Sequence, residues 1–166
     1  MPSRSSAAWV CLGIGILSSV RVALVWDQLP ARMASHYGAS GQPNGFMPRD
    51  TFFLFYVGLF SAIITLFLMM PRVLSQLPRE LVNIPHRDYW VTDERWPEAL
   101  KRMGDWMAWF SVALAVLAAA TLFLILRSNI WRQPLDNAAM LGILGGFLAF
   151  TLYWLVALYR AFRPPT

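Results

Sequence analysis

Residues that bind metals, move protons or form disulfides are scarce in this 166-residue chain. It has one cysteine and two histidines, and its nine carboxylates are outnumbered by fourteen Lys and Arg residues. A single cysteine excludes a disulfide within the chain. Zinc and copper sites need three or four nitrogen or sulfur ligands, which Cys11, His36 and His86 would supply only by meeting at one point. We therefore expect no metal site and no cofactor.

Charged residues are also few, at 14% of the chain, whereas 57% is hydrophobic, a balance outside the range of soluble domains. Four runs reach the roughly 20 apolar residues that cross a bilayer. They cover residues 7–26, 51–70, 106–126 and 138–159. The runs are continuous rather than alternating, which indicates helices and not membrane strands. The sequence thus predicts an all-α integral membrane protein, one domain over residues 1–166, whose first span is a retained helix and not a cleaved signal peptide.

The distribution of Lys and Arg predicts the orientation of these helices. If the N-terminus is cytoplasmic, the cytoplasmic segments hold nine of these residues and the opposite segments hold four. Lys and Arg concentrate on the cytoplasmic side of membrane proteins, so we expect both termini there. This topology, together with anionic lipid headgroups, accounts for the net charge of +5, and we expect no nucleic-acid partner.

Carboxylates are absent from the middle of all four runs. Ion carriers and proton relays place carboxylates there, so a stand-alone ion transporter is disfavoured. The chain also lacks the G-x-S-x-G, H-E-x-x-H and P-loop motifs, and we assign no catalytic residue. Asp93, Glu94 and Glu98 are interpreted as part of a solvated face on the cytoplasmic side, with Glu98 at helical spacing from Arg102.

The segment between the first two runs, LPARMASHYGASGQPNGFMPRD at residues 29–50, is rich in turn-forming residues. Gly38, Gly41, Pro43, Asn44 and Gly45 follow one another closely, which predicts consecutive turns, some with positive φ. The aromatic residues beside these turns indicate an ordered loop rather than a flexible linker. With the orientation given above, this loop faces the exterior.

The order of residues in this loop resembles that of an uncharacterised bacterial membrane domain of unknown function, which also forms the N-terminal part of SdpI-like immunity proteins. The pattern is Leu-Pro, then His and an aromatic residue, then G-x-P-x-G-F, and here it comprises Leu29, Pro30, His36, Tyr37, Gly38, Gly41, Gln42, Pro43, Gly45 and Phe46. The resemblance covers roughly the first 50 to 70 residues. It implies a multi-pass protein of the bacterial cytoplasmic, or inner, membrane.

The predicted contacts to a ligand or partner lie in this loop and at the outer end of the first span. They are His36, Tyr37, Gly41, Gln42, Pro43, Phe46 and Arg21. His36 is either a ligand-contacting group that titrates near neutral pH, or a structural group whose ring bonds the loop and fixes its turn. Arg21 either extends to the membrane surface or pairs with a buried partner, for which Asp27 and Asp50 are the nearest candidates.

Small residues repeat every four positions in the last span, at Ala138, Gly142 and Gly146. Such stripes let membrane helices approach closely. One interpretation is an antiparallel pair with the third span, which has Ala115 and Ala119 at the same spacing. The other is a docking face for another subunit. The bulky residues of the last span, Phe147, Phe150, Tyr153 and Trp154, are then expected to face lipid or a partner.

Two functions remain open from the sequence. The first is a binding protein without enzymatic activity, either an accessory subunit of a membrane complex or an SdpI-like immunity or signalling protein. Its partners would be the lipid bilayer and another membrane protein, a second copy of the chain, or an extracytoplasmic peptide. The second is part of a transporter or enzyme whose site is completed by another chain, because Arg21 and His36 belong to the same membrane side.

Overall fold

A computed structural model describes residues 2–165 of the chain. Four long helices carry most of the described residues, and a two-stranded antiparallel sheet lies between the first two of them. In chain order the elements are α1 (Arg4–Val25), a 3₁₀ turn (Trp26–Gln28), β1 (Arg32–Tyr37), β2 (Pro43–Pro48), α2 (Arg49–Gln76), a second 3₁₀ turn (Arg79–Leu81), α3 (Arg87–Trp90), α4 (Trp96–Trp131) and α5 (Asn137–Ala161). The four predicted spans are confirmed as α1, α2, α4 and α5, each long and apolar enough to cross a membrane.

The helices extend beyond the apolar runs that predict them. The longest is α4, with 36 residues where the apolar run has 21. At about 1.5 Å per residue it is roughly 54 Å long, compared with about 30 Å for the hydrocarbon core of a bilayer. Its ends must therefore project into the headgroup layers or beyond. Hydropathy marks where lipid begins and not where a helix ends.

The central element of the bundle is α4, which packs against α1, α2 and α5. Between α1 and α4, the buried Cys11 Sγ lies 3.5 Å from Ser111 Oγ. Between α2 and α4, Gly104 faces Pro71 so closely that a side chain at Gly104 would overlap the proline ring. Small residues on α4 thus allow the close approach of its neighbours.

The contact between α4 and α5 uses aromatic rings rather than small residues. Phe110 of α4 contacts Phe147, Phe150 and Trp154, and Trp106 contacts Trp154 at 4.6 Å between ring centroids. The expectation that these bulky residues face lipid or a partner is wrong for these three, whereas Tyr153 is exposed.

The stripe of small residues on α5 does not mediate the pairing of α5 with α4. A methyl group added at Gly142 or Gly146 would meet no neighbouring element of residues 2–165 within 4 Å, and Ala138 is exposed. The intrachain interpretation of this stripe is therefore corrected. Its role as a docking face for another subunit stays a prediction.

At the end of the bundle where α1 begins, the segment between α2 and α4 folds back over the helices. Trp90 is buried, and its Nε1–H donates to the main-chain oxygen of Phe162 at 2.6 Å. The predicted pairing of Glu98 with Arg102 is confirmed at 2.8 Å. The opposite end of the bundle carries the two strands.

Candidate functional site

The segment 32–48, here called the hairpin, consists of β1, β2 and the turn that joins them. The two strands are antiparallel, and the register is irregular around His36. In the turn, Gly38 N–H donates to Gln42 O and Gly41 N–H donates to Gly38 O, both at 2.9 Å. The ordered loop that the sequence predicts is thus a β-hairpin, which is more regular than a series of turns.

Sequence analysis missed the two strands because their residues are poor strand formers. Pro43, Asn44 and Gly45 are all of types depleted in strands, and β-branched residues are absent from β1 and β2. The signal that could have found the hairpin is the pair of short runs on either side of a five-residue, glycine-containing connection.

A buried asparagine of α4 anchors β1. Asn129 Oδ1 accepts the N–H of Ala34 at 2.7 Å, and Asn129 Nδ2 lies 3.2 Å from Ala34 O and 3.1 Å from Tyr37 Oη. Because strand β1 is paired with β2 on one edge only, these bonds satisfy main-chain groups that would otherwise be buried without partners. Asn129 is a site residue that sequence analysis missed, because it lies in the short polar stretch that follows the apolar run of α4.

The turn of the hairpin is anchored to the loop between α4 and α5. Leu135 N–H donates to Gly41 O, and Asn137 Nδ2 donates to Ala39 O, both at 2.8 Å. Gly41 has φ +77°, and a Cβ there would lie 2.5 Å from Leu135 O. Glycine is therefore required at this position by both its backbone conformation and its contact.

Arg49 closes the base of the hairpin. Its guanidinium lies over the Trp26 ring at 4.2 Å from the centroid and donates to Trp26 O at 2.8 Å and to Leu29 O at 3.3 Å. Its main-chain N–H donates to Ala31 O at 2.9 Å. Beneath it lies an apolar cluster that joins the hairpin to three helices, formed by Val25, Leu29, Met33, Phe52, Leu122 and Leu126. Arg49 was not among the predicted site residues.

The predicted contact residues of the hairpin differ in their exposure. His36, Gln42 and Phe46 are exposed, and Phe46 retains 52% of its accessible surface. Tyr37 and Gly41 face the helices and act as anchors, with Pro43 half-buried between the two sets. The structure thus places three of the six hairpin residues where a partner has access to them.

His36 interacts with the opposite strand. Its Nδ1 lies 2.5 Å from Asn44 Oδ1, and its Cβ is so close to Gly45 that a side chain there would clash. The ring thus bonds the hairpin, as the structural interpretation expects, and also remains exposed, as the ligand-contacting interpretation requires. The role of His36 stays a prediction.

The Tyr37 hydroxyl lies in a partly buried polar cluster. Burial raises the pKa of Tyr37, and hydrogen bonds to Ser128 and Asn129 partly offset this effect. The hydroxyl also lies 3.4 Å from Ala34 O, to which it donates. Tyr37 is thus a neutral hydrogen-bonding group and serves to hold β1 on α4.

Arg21 lies on α1, and its guanidinium is 5.9 Å from the ring centroid of Phe123 on α4. Within residues 2–165, no carboxylate lies within 4.0 Å of it, and Asp50 instead lies 4.0 Å from Arg49. The ion pair of Arg21 with Asp27 or Asp50 is therefore not formed. Cation–π contact with Phe123 takes its place.

The exposed side chains of the hairpin, here called its exposed face, include the aromatic ring of Phe46, the imidazole of His36 and the amides of Gln42 and Asn44. Such a set can bury apolar surface and exchange hydrogen bonds with a partner. The framework beneath it is fixed by bonds to α4, to the α4–α5 loop and to the start of α2. These polar and apolar groups are therefore held on a fixed framework and are open to contact.

Comparison with known proteins finds two local similarities. A family model described as "Domain of unknown function (DUF1648)" matches residues 13–60, which contain most of α1, the hairpin and the start of α2. The chain is also similar to a lipoprotein signal peptidase of Actinobacillus succinogenes, with 44% identity over 50 residues, which is 30% of this chain and 31% of that protein. The chain thus matches less than a third of the length of this relative. No solved structure matches the chain. The similarity to a domain of unknown function therefore lies in the part of the chain that forms the hairpin and the two helices flanking it.

Proposed function

We propose that this small multi-pass membrane protein acts by binding, and that the exposed face of the hairpin is its recognition surface. The observation that carries this proposal is Phe46, which remains 52% exposed on a hairpin whose other face is anchored. A flexible loop loses entropy when it binds, whereas a preformed surface loses little. Anchoring of this extent serves a surface that must keep its shape.

The partner that this surface suits is a protein segment outside the cytoplasm, either from another membrane protein or from a peptide. The excess of Lys and Arg at the opposite end of the bundle supports a hairpin on the outer side of the cytoplasmic membrane, with both termini in the cytoplasm. An accessory subunit and an SdpI-like immunity or signalling protein both fit this description. The match to a domain of unknown function over residues 13–60 supports a role for the hairpin region in either case.

The experiment is site-specific photo-crosslinking in intact membranes. A photoreactive phenylalanine analogue replaces Phe46 in one variant and Phe55, a 61% exposed residue of α2, in the control. We expect a discrete protein adduct from position 46, lost when Gln42→Ala and His36→Ala are combined, and lipid adducts from position 55. The partner should also remain with the chain after mild detergent extraction, as shown by native mass.

The binding proposal fails if position 46 gives only lipid adducts and the extracted protein has the 18.8 kDa mass of the chain alone. An adduct between two copies of this chain would identify a homo-oligomer that uses the hairpin. An adduct that survives the paired Gln42→Ala and His36→Ala substitutions would move the recognition surface away from these side chains.

A second candidate function is that of a membrane enzyme part completed by another chain. The observation that favours it is the 50-residue similarity to a lipoprotein signal peptidase. The test is incubation of the purified chain, alone and with its crosslinked partner, with a lipoprotein signal-peptide substrate. Cleavage would replace the binding proposal with this one, and we expect none.

A further inference from the structure

At the end of the bundle opposite the hairpin, three helices surround a cleft of about 480 Å³. The start of α1 supplies Arg4, the last turns of α2 supply Arg72 and Ser75, and the second and third turns of α4 supply Lys101 and Asp105. This cleft is separate from the recognition surface and was not among the predicted sites.

The cleft has three cations and one carboxylate. Asp105 accepts the main-chain N–H of Arg4 at 3.2 Å and lies 3.7 Å from Lys101 Nζ, so part of its charge is already compensated. In residues 2–165 neither Arg4 nor Arg72 has a carboxylate within 4.0 Å, and the Arg72 guanidinium donates to Met69 Sδ at 3.3 Å. Two arginines are therefore available to an anion, and the excess of positive charge in the cleft is complementary to one.

The depth of the cleft matches that of lipid headgroups. The apolar run of α2 ends at Met70, just before Arg72, and the apolar run of α4 begins at Trp106, just after Asp105. Trp109 Nε1–H donates to Pro2 O at 3.0 Å, which places a second tryptophan at the same level. Tryptophans are enriched at the boundary between hydrocarbon and water, where the phosphates of phospholipids lie.

One wall of the cleft is closely packed. Gly104 has no side chain, so the ring of Pro71 packs directly on α4, and the Arg4 guanidinium lies beside the same point. Pro71 would have to move if Gly104 carried a side chain, whereas Arg4 Nη1 would lie 3.6 Å away, at an ordinary contact distance. The close approach of α2 to α4 therefore brings the last turns of α2, which carry Arg72, against α4.

We propose that this cleft binds a phosphate group between Arg4 and Arg72, and that an anionic phospholipid of the surrounding leaflet supplies it. Arginine forms forked hydrogen bonds to phosphate oxygens, and basic pockets between helices on the cytoplasmic side are suited to anionic headgroups. Ser5 at the rim provides a hydroxyl donor to a remaining oxygen.

The experiment uses the full chain in nanodiscs that contain equal amounts of phosphatidylglycerol and phosphatidylcholine, followed by native mass spectrometry of the lipids that the protein retains. We expect preferential retention of phosphatidylglycerol. Arg72→Gln should reduce the preference about fivefold, as expected for one cation at a membrane surface, and Arg72→Lys should restore most of it. Arg163→Gln removes an exposed charge at the same end of the bundle and is the matched control, with no change expected.

A second arm separates the lipid from a soluble source. Inorganic phosphate is titrated against the wild type and Arg72→Gln in nanodiscs of phosphatidylcholine alone, with ³¹P line broadening as the readout. Saturable binding of inorganic phosphate without any lipid preference would overturn the lipid source. Equal retention of both lipids by the wild type, or an equal loss in Arg72→Gln and Arg163→Gln, would overturn the site itself. Unfolding curves of each variant identify any loss of lipid preference that comes from misfolding. If Arg72→Gln misfolds, the lipid preference of Arg72→Lys is the deciding measurement.

Discussion

Asn129 of α4 satisfies both main-chain polar groups of Ala34 in β1, accepting from its N–H at 2.7 Å and lying 3.2 Å from its carbonyl oxygen. One side chain thus acts as an additional strand edge for the hairpin. Both residues are buried, so no water can replace these bonds without a rearrangement of the hairpin.

We predict that Asn129→Ala destabilises the fold by about 2 to 4 kcal/mol, because two buried main-chain groups lose their partners. The measurement is the free energy of unfolding in mixed detergent micelles. Asn137→Ala is the control, since it removes a more exposed bond to Ala39 O and should cost about 1 kcal/mol. Equal costs for the two variants would show that the hairpin does not depend on Asn129.

A second prediction concerns the turn of the hairpin. Gly41→Ala places a side chain at φ +77° against Leu135 O, and should cost about 2 kcal/mol or more. Gly38→Ala is the matched control, because its Cβ would meet only ordinary contacts at 3.5 Å or more, and should cost less than about 1 kcal/mol. Limited proteolysis of the hairpin reports the same difference as a rate. Similar rates in both variants would argue against the anchoring of the turn to the α4–α5 loop.

The raised pKa of Tyr37 predicts how stability depends on pH. A hydroxyl that binds its proton more tightly in the folded state stabilises the fold fully below its unfolded pKa of about 10 and loses this contribution as pH rises through the folded value. The free energy of unfolding should therefore fall as the pH rises above about 10. Tyr37→Phe should show a smaller decline, and tyrosinate absorbance identifies the titration. A decline of the same size in Tyr37→Phe would assign it to other groups.

The orientation of the chain gives a fourth prediction. The native Cys11 is buried and only 1% exposed, so its background labelling should be low. Thiols are introduced at Ser40 in the hairpin turn and at Ser75 near the end of α2, both exposed positions. A thiol reagent that does not cross membranes should label Ser40→Cys in intact cells and Ser75→Cys only after permeabilisation. The reverse result would place the hairpin in the cytoplasm and remove the basis for an outer partner.

The sequence predicts the four helices well because lipid requires nearly every side chain of a span to be apolar. That pattern can be read from the local sequence alone. It does not predict the hairpin, because Pro43 and Gly45 have no tendency to form strands and depend on partners distant in the chain, such as Asn129 and Leu135. The glycines at positions 142 and 146 indicate a stripe but not what it meets, and the aromatic residues of α5 pack on α4 instead.

The candidate site is also predictable only where the local sequence determines it. His36, Gln42 and Phe46 are exposed, as a contact role requires. Tyr37 and Gly41 share the same motif and serve as anchors instead. Arg49 and Asn129 were missed, since their importance comes from the main-chain groups that they reach in three dimensions.

The length of α4 has a mechanical consequence. This single helix carries Asn129 at one end and Lys101 and Asp105 at the other. A shift of the helix along its axis would displace the anchor of β1 and the rim of the basic cleft by the same amount. An axial movement of α4 would therefore change the position of groups at both ends of the bundle.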